Sequence, residues 1–193
     1  MANKIIRKIL IANRGEIACR IARTVSSMGI QTVAVYSDID EKSLHVTSCD
    51  QAVNIGNSPA AESYLNIESI IKAALDTDSD AIHPGYGFLS ENASFAQACS
   101  RAGIIFVGPS AANIESMGSK AVSKDLMTKA EIPIVPGYHG VEQGLEYLKL
   151  RADEIGYPVL IKASAGGGGR GMRLVGSEKN IEESIISAQM EAK

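Results

Sequence analysis

Short apolar runs alternate with stretches whose apolar residues recur at helical spacing. Ile9-Leu10-Ile11-Ala12 reads as a first strand, ending at Asn13-Arg14-Gly15. Ile17, Ile21, Val25 and Met28 then line one helical face, and Gly29 supplies the stop. Thr32 to Tyr36 predicts a second strand, Lys42 to Cys49 a short helix, and Ala52-Val53-Asn54-Ile55 another strand. Asn66 is placed to cap a helix carrying Ile67, Ile70, Ile71 and Leu75. Asp80-Ala81-Ile82-His83 follows as a strand broken by Pro84-Gly85-Tyr86-Gly87. A helix from Glu91 to Ala102 and the strand Ile104 to Val107 complete the run. This order predicts a doubly wound, Rossmann-like α/β lobe, in which ligands gather beyond the carboxyl ends of the strands.

Gly108-Pro109-Ser110 closes that lobe, and two helices, Ala111 to Met117 and Lys120 to Ala130, read as a connector. A second lobe begins near Ile132. Val141, Leu145, Leu148, Ala152 and Ile155 predict its first helix, with Gly156 as the end signal. A strand bearing Lys162, a glycine loop, a strand from Met172 to Val175 and a helix capped by Ser177 follow. The expected division is residues 1–110, 111–131 and 132–193. The last part reads as an incomplete lid lobe, short of a final strand and with an open sheet edge.

Composition narrows the classes. With 193 residues, the chain is long enough for one good core and a smaller lobe, and 45% hydrophobic with 21% charged residues is ordinary for a globular protein. A net charge of −3 and the absence of Trp argue against nucleic acid as a partner. No segment approaches the apolar length of a membrane span. The basic stretch Met1 to Arg14 runs straight into a strand pattern, which argues against a cleavable leader. Cys19, Cys49 and Cys99 are widely spaced and odd in number, as in a reducing compartment, so a cytoplasmic location is expected. His45, His83 and His139 form no metal-ligand spacing with them.

The strongest chemical signal is Ile155 to Val175: a strand, five glycines among the six residues Gly166 to Gly171, then a second strand. A backbone almost free of Cβ atoms can turn several N–H groups toward one anion. Lys162, on the strand feeding the loop, adds positive charge suited to phosphate oxygens. A hairpin turn needs only one or two glycines, so a flap over a nucleoside triphosphate is the better reading. No Gly-Lys-Ser/Thr follows, and the next element is a strand, so neither a Walker A loop nor a dinucleotide fingerprint fits. Lys120, at a helix N-terminus and against the helix dipole, is a second candidate, whereas Lys124 reads as surface. In the loop His83 to Asn92, two glycines and a proline hold an imidazole, a phenol and a carboxylate close together, which favours function. Glu16 reads as a charge complementing the helix N-terminus in a tight turn.

The glycine loop resembles that of the ATP-grasp enzymes, and Ile161-Lys162-Ala163-Ser164-Ala165-Gly166-Gly167-Gly168-Gly169-Arg170-Gly171-Met172 resembles the biotin carboxylases among them. Ile11-Ala12-Asn13-Arg14-Gly15-Glu16-Ile17-Ala18 and the decapeptide His83 to Asn92 resemble the same family, in the same order, and the likeness runs from about Lys8 to the end. Ala60 to Leu65 and Pro136 to Gly140 further resemble the biotin-containing subunit of methylcrotonyl-CoA and related acyl-CoA carboxylases. The resemblance implies an ATP-dependent ligase that activates bicarbonate as carboxyphosphate and then carboxylates biotin on a carrier domain. It implies ATP binding by Lys120, Lys162, Gly166, Gly167, Gly168, Gly169 and Met172, and a biotin pocket at Tyr86 and Gly87. It also implies a carboxyltransferase partner and a homo-oligomer, with no membrane or nucleic-acid partner. The family's magnesium carboxylates, catalytic base and biotin-stabilising arginine are expected beyond residue 193, so no catalytic residue is assigned and the chain by itself is expected to be inactive. Other ATP-grasp ligases and a non-catalytic nucleotide-binding or subunit-interaction module are the competing readings.

Overall fold

The computed structural model of the chain describes residues 5–118, 120–162 and 172–191. It forms two compact units, Met1–Ser119 and Lys120–Lys193, each with its own core.

In the first unit, strands β1 (Lys8–Ile11), β2 (Gln31–Tyr36), β3 (Gln51–Asn54), β4 (Ala81–His83) and β5 (Ile105–Phe106) form a parallel sheet in the order β3-β2-β1-β4-β5. Leu10 of β1 lies opposite Val33 on one side and Ile82 on the other. Successive side chains of a strand point to opposite faces. Ile9 and Ile11 therefore meet Ile17, Ala18, Ile21, Ala22 and Val25 of helix α1 (Gly15–Ser27) on one face. Leu10, Val33, Val35 and Ile82 meet α3 (Ile67–Asp76) and α4 (Ala93–Arg101) on the other. A sheet covered on both faces needs unbroken apolar strands, which explains the continuous runs. Each such side chain contributes roughly 1.5–3 kcal/mol on full burial.

The helix punctuation follows the sequence. Gly29 adopts φ +73° after α1, and the side chains of Asn66 and Asn92 accept the N–H groups of Ser69 (3.1 Å) and Phe95 (2.9 Å). The helix expected over Lys42 to Cys49 contracts to a single turn, α2 (Leu44–Thr47). Helix α5 (Ala111–Gly118) packs on α4 within this unit.

The second unit contains α6 (Lys120–Lys129), α7 (Leu145–Ile155), the antiparallel pair β6 (Val159–Ile161) and β7 (Arg173–Val175), and α8 (Ile181–Glu191). Ala152, Val159, Val175, Ile181 and Ile185 form its core. Two expectations fail here. Val141 is fully exposed and lies ahead of α7, because the Glu142 carboxylate takes the Gly144 N–H at 2.8 Å and closes a local turn that competes with helix. Ser177 precedes a short 3-10 turn (Glu178–Asn180) without a side-chain cap, so α8 begins only at Ile181.

The packing sets a clear contrast between positions. Ile82→Ala, in the covered centre of the sheet, is expected to lower the stability of the first unit by about 2–4 kcal/mol. Met28→Ala, which is 67% exposed, should change it by less than about 0.5 kcal/mol, both read by denaturant unfolding.

Candidate functional site

In the first unit the chain leaves β1 toward one face of the sheet, into α1, and leaves the adjacent β4 toward the other, into α4. The two connections diverge and open a crevice at the carboxyl ends, where doubly wound sheets bind ligands. The residues at its mouth are Asn13 to Glu16 from the first connection and His83 to Asn92 from the second.

Asn13 ties the two connections together. It is 3% exposed, and its Nδ2 donates to the carbonyls of Pro84 and Tyr86, both at 2.8 Å, while Oδ1 accepts the Arg14 N–H at 2.9 Å. All three uses are satisfied, as a buried carboxamide requires. Gly85 permits this contact. It sits at φ +66°, and a Cβ there would lie 2.7 Å from Asn13 Nδ2. The Gly85 N–H donates to His83 Nδ1 at 3.0 Å, so that nitrogen carries no proton, and burial holds the imidazole pKa below its ordinary value.

Beyond this turn the loop is fixed at two more points. The Tyr86 hydroxyl donates to Glu16 Oε1 at 2.5 Å, although the side chain is 60% exposed. That acceptor raises the phenol pKa. Phe88, at φ +39°, stacks on the fully buried Tyr64 ring with centroids 5.1 Å apart. The Arg14 guanidinium lies over both rings, 5.2 Å from Tyr64 and 5.8 Å from Phe88, and pairs with Asp40 at 2.9 Å. Asp40 also accepts from Tyr64 (2.8 Å) and Ser37 (3.0 Å). Burial works to raise the Asp40 pKa, but hydrogen bonds from Tyr64, Arg14 and Ser37 outweigh it and hold the carboxyl below its ordinary value. Burial, reinforced by the Asp40 acceptor, pushes the Tyr64 phenol up to about 12.

The second unit presents a different surface. Within the β6–β7 pair, Val159 and Val175 point into the core, while the opposed residues Leu160 and Leu174 are 56% and 74% exposed on the other face. Lys162 follows β6 at the next position of that alternation, and Met172, 47% exposed, precedes β7. One exposed face of this strand pair thus carries apolar side chains, with the exposed Lys162 at the next outward position. Lys120 opens α6, but its side chain lies outside the described residues, as do Gly166, Gly167, Gly168 and Gly169. Lys124 is half-buried and reaches the Val135 carbonyl at 3.3 Å. Among the described residues no group of three or more His, Cys, Asp or Glu is disposed for a metal.

Sequence reasoning singled out Tyr86, Gly87, Lys162 and Met172. It assigned no site role to Asn13, Arg14, Asp40, Tyr64, Leu160 or Leu174. For the two leucines the signal was present, since alternation along short strands separates them from the core valines. For Asp40 and Tyr64 nothing local announces a shared network with Arg14.

A parallel α/β unit with a pinned loop at its switch point is followed along the chain by an antiparallel strand pair whose connecting segment is glycine-rich in sequence. The sequence profile described as "Biotin carboxylase, N-terminal domain" matches residues 5–114, and "Carbamoyl-phosphate synthase L chain, ATP binding domain" matches residues 119–193. The chain belongs to the biotin carboxylase family. It is 57% identical, over 187 residues and 97% of its length, to the mitochondrial methylcrotonoyl-CoA carboxylase subunit alpha of Oryza sativa, of which it spans 25%. Among solved structures it is similar to the biotin carboxylase-beta-gamma-ATP complex of Campylobacter jejuni, with TM-score 0.90, 48% identity, and coverage of 97% of this chain and 42% of that one. It is also similar to the biotin carboxylase domain dimer of Hydrogenobacter thermophilus 2-oxoglutarate carboxylase, in complex with MgADP, ADP and bicarbonate. That likeness has TM-score 0.87 and 48% identity, covering 98% of this chain and 41% of that one. The chain therefore spans a quarter to about two fifths of these three relatives.

The Asp40 network gives a pH signature. A carboxyl whose folded pKa lies below its unfolded value stabilises the fold above that unfolded value, and the contribution is lost as pH falls through the folded one. Asp40→Asn should therefore lower stability at neutral pH and flatten the acid limb of the stability curve below about pH 4, read by urea unfolding across that range.

Proposed function

We propose that the chain is the N-terminal portion of a biotin carboxylase, an ATP-dependent ligase that uses bicarbonate to carboxylate biotin on a carrier domain. The observation that carries this reading is the open hairpin face of the second unit, where Leu160, Leu174 and Met172 stand beside Lys162. An adenine ring needs flat apolar walls, and a phosphate chain needs a nearby cation and clustered N–H donors. In this reading Leu160, Leu174 and Met172 cover the base, Lys120 and Lys162 bind phosphate oxygens, and Gly166 to Gly169 donate N–H groups to them.

Bound ATP supplies the phosphoryl group that activates bicarbonate. The chain's own residues orient that phosphate chain and offset its charge. Magnesium ligands and the catalytic base are assigned to residues outside this chain. Tyr86 and Gly87 form part of the biotin pocket at the switch-point crevice. Residues 1–110 act as the α/β domain, 111–131 as connector and 132–193 as lid. The carboxyl carrier domain, a carboxyltransferase subunit and a second copy of the enzyme are the proposed partners, and the dimeric relative with bound MgADP and bicarbonate supports the last. A cytoplasmic location belongs to the same proposal; the rice relative is mitochondrial, and no described helix is long and apolar enough to cross a membrane.

The test is phosphate release from ATP with magnesium, bicarbonate and free biotin, comparing this chain with one extended through the rest of the family domain. Turnover is expected only in the extended form, and bicarbonate-stimulated turnover by the 193 residues themselves would show the catalytic groups to be misplaced. In the extended form Lys162→Ala should weaken ATP binding by about 1.5–3 kcal/mol, the worth of a charge-assisted hydrogen bond. Lys124→Ala should leave it unchanged by calorimetry.

A further inference from the structure

Resting on the reading of Tyr86 as part of the biotin pocket, we infer that Glu16 is a positioning residue that locks the Tyr86 side chain, so that the pocket receives a ring face and not a phenol hydrogen bond.

The inference starts from an anomaly of exposure. Tyr86 is 60% exposed on a loop tip, a setting in which an aromatic side chain ordinarily samples several rotamers. Here both ends of the residue are held. Its carbonyl accepts from Asn13 Nδ2 at 2.8 Å, and its hydroxyl donates to Glu16 Oε1 at 2.5 Å. Asn13 is buried on β1's carboxyl end, and Glu16 sits in the first turn of α1, so both anchors belong to the same rigid strand–helix junction. On the far side, Gly87 at φ +66° leads into Phe88, which is itself stacked on buried Tyr64. The backbone on either side of the ring is thus fixed independently, and the Glu16 contact fixes its outer end.

The chemistry of the contact sets what the ring can offer. A phenol has one O–H donor, and Glu16 uses it; an ionised carboxylate offers Tyr86 only acceptor oxygens. A ligand in this crevice therefore meets the flat π-surface of an immobilised ring, which suits a compact, largely apolar bicyclic group. Holding the ring in advance removes the rotamer entropy that binding would otherwise cost. This role is separate from complementing the α1 dipole, which needs the charge of Glu16 but no contact with Tyr86.

Two arms test it. In the 193-residue chain, selective labelling of tyrosine rings gives the Tyr86 titration by NMR, assigned with Tyr86→Phe. The phenol should titrate above the ordinary tyrosine range in the wild type and return to it in Glu16→Ala, with Glu16→Gln, which keeps an acceptor, in between. Identical titration in all three would remove the clamp. In the extended form, Glu16→Ala and Tyr86→Phe should each raise KM for free biotin about three- to tenfold, with KM for ATP unmoved and kcat little changed. The double variant should be no worse than the worse single one, because both remove the same contact. Additive effects, or a Glu16→Gln variant as impaired as Glu16→Ala beside a silent Tyr86→Phe, would assign Glu16 to the helix dipole and overturn the inference. Absence of biotin-dependent turnover in the wild-type extended form would sink the biotin reading, while the clamp still stands or falls by the titration.

Discussion

One buried carboxamide ties together the chain segments that leave the carboxyl ends of β1 and β4. Asn13 reaches from the end of β1 to two carbonyls of the loop after β4, and that loop can approach only because residue 85 is glycine. Neither half is useful without the other. An Asn13 side chain buried without those carbonyls would carry unsatisfied donors, each costing about 1–3 kcal/mol. A Gly85 without Asn13 would be a flexible point in an exposed loop. Together they make the switch-point crevice a rigid feature of the fold.

The charged network behind the crevice obeys the same logic at higher stakes. A partly buried carboxylate is tolerable when its partners satisfy it, and Asp40 has a guanidinium, a phenol and a hydroxyl to do so. Arg14 in turn spreads over two aromatic rings, one of which belongs to the loop that Asn13 anchors. Phe88 is held at positive φ by this stacking. Such strain persists only where the surroundings over-determine it. The loop that carries Tyr86 is therefore preorganised from both sides.

The second unit solves a different problem. Its two-stranded sheet is packed on one face by α7 and α8 and open on the other, leaving Leu160 and Leu174 paired in solvent. An exposed apolar cross-strand pair is a liability unless something flat covers it. A nucleotide base is the occupant proposed for that face, and the ammonium of Lys162 beside it matches the polyphosphate that such a base carries.

Much of this was legible in the residues themselves. Continuous apolar runs announced a sheet buried on both faces, and helical periodicity with Asn66 and Gly29 placed α1 and α3. These signals are local, set by side-chain period and by the conformations a residue can adopt. The failures were local signals overruled by competing bonds: the Val141 periodicity yielded to a turn closed by Glu142, and Ser177 left its capping role unused. What the tertiary structure decided was everything spanning long separations. Asn13 meets Pro84 and Tyr86, Glu16 meets Tyr86, and Arg14, Asp40, Tyr64 and Phe88 converge, because the parallel crossover sets β1 beside β4. Residues about seventy positions apart become neighbours through strand order. No periodicity within one segment encodes that partner, so the sequence named Tyr86 while the fold alone revealed what holds it.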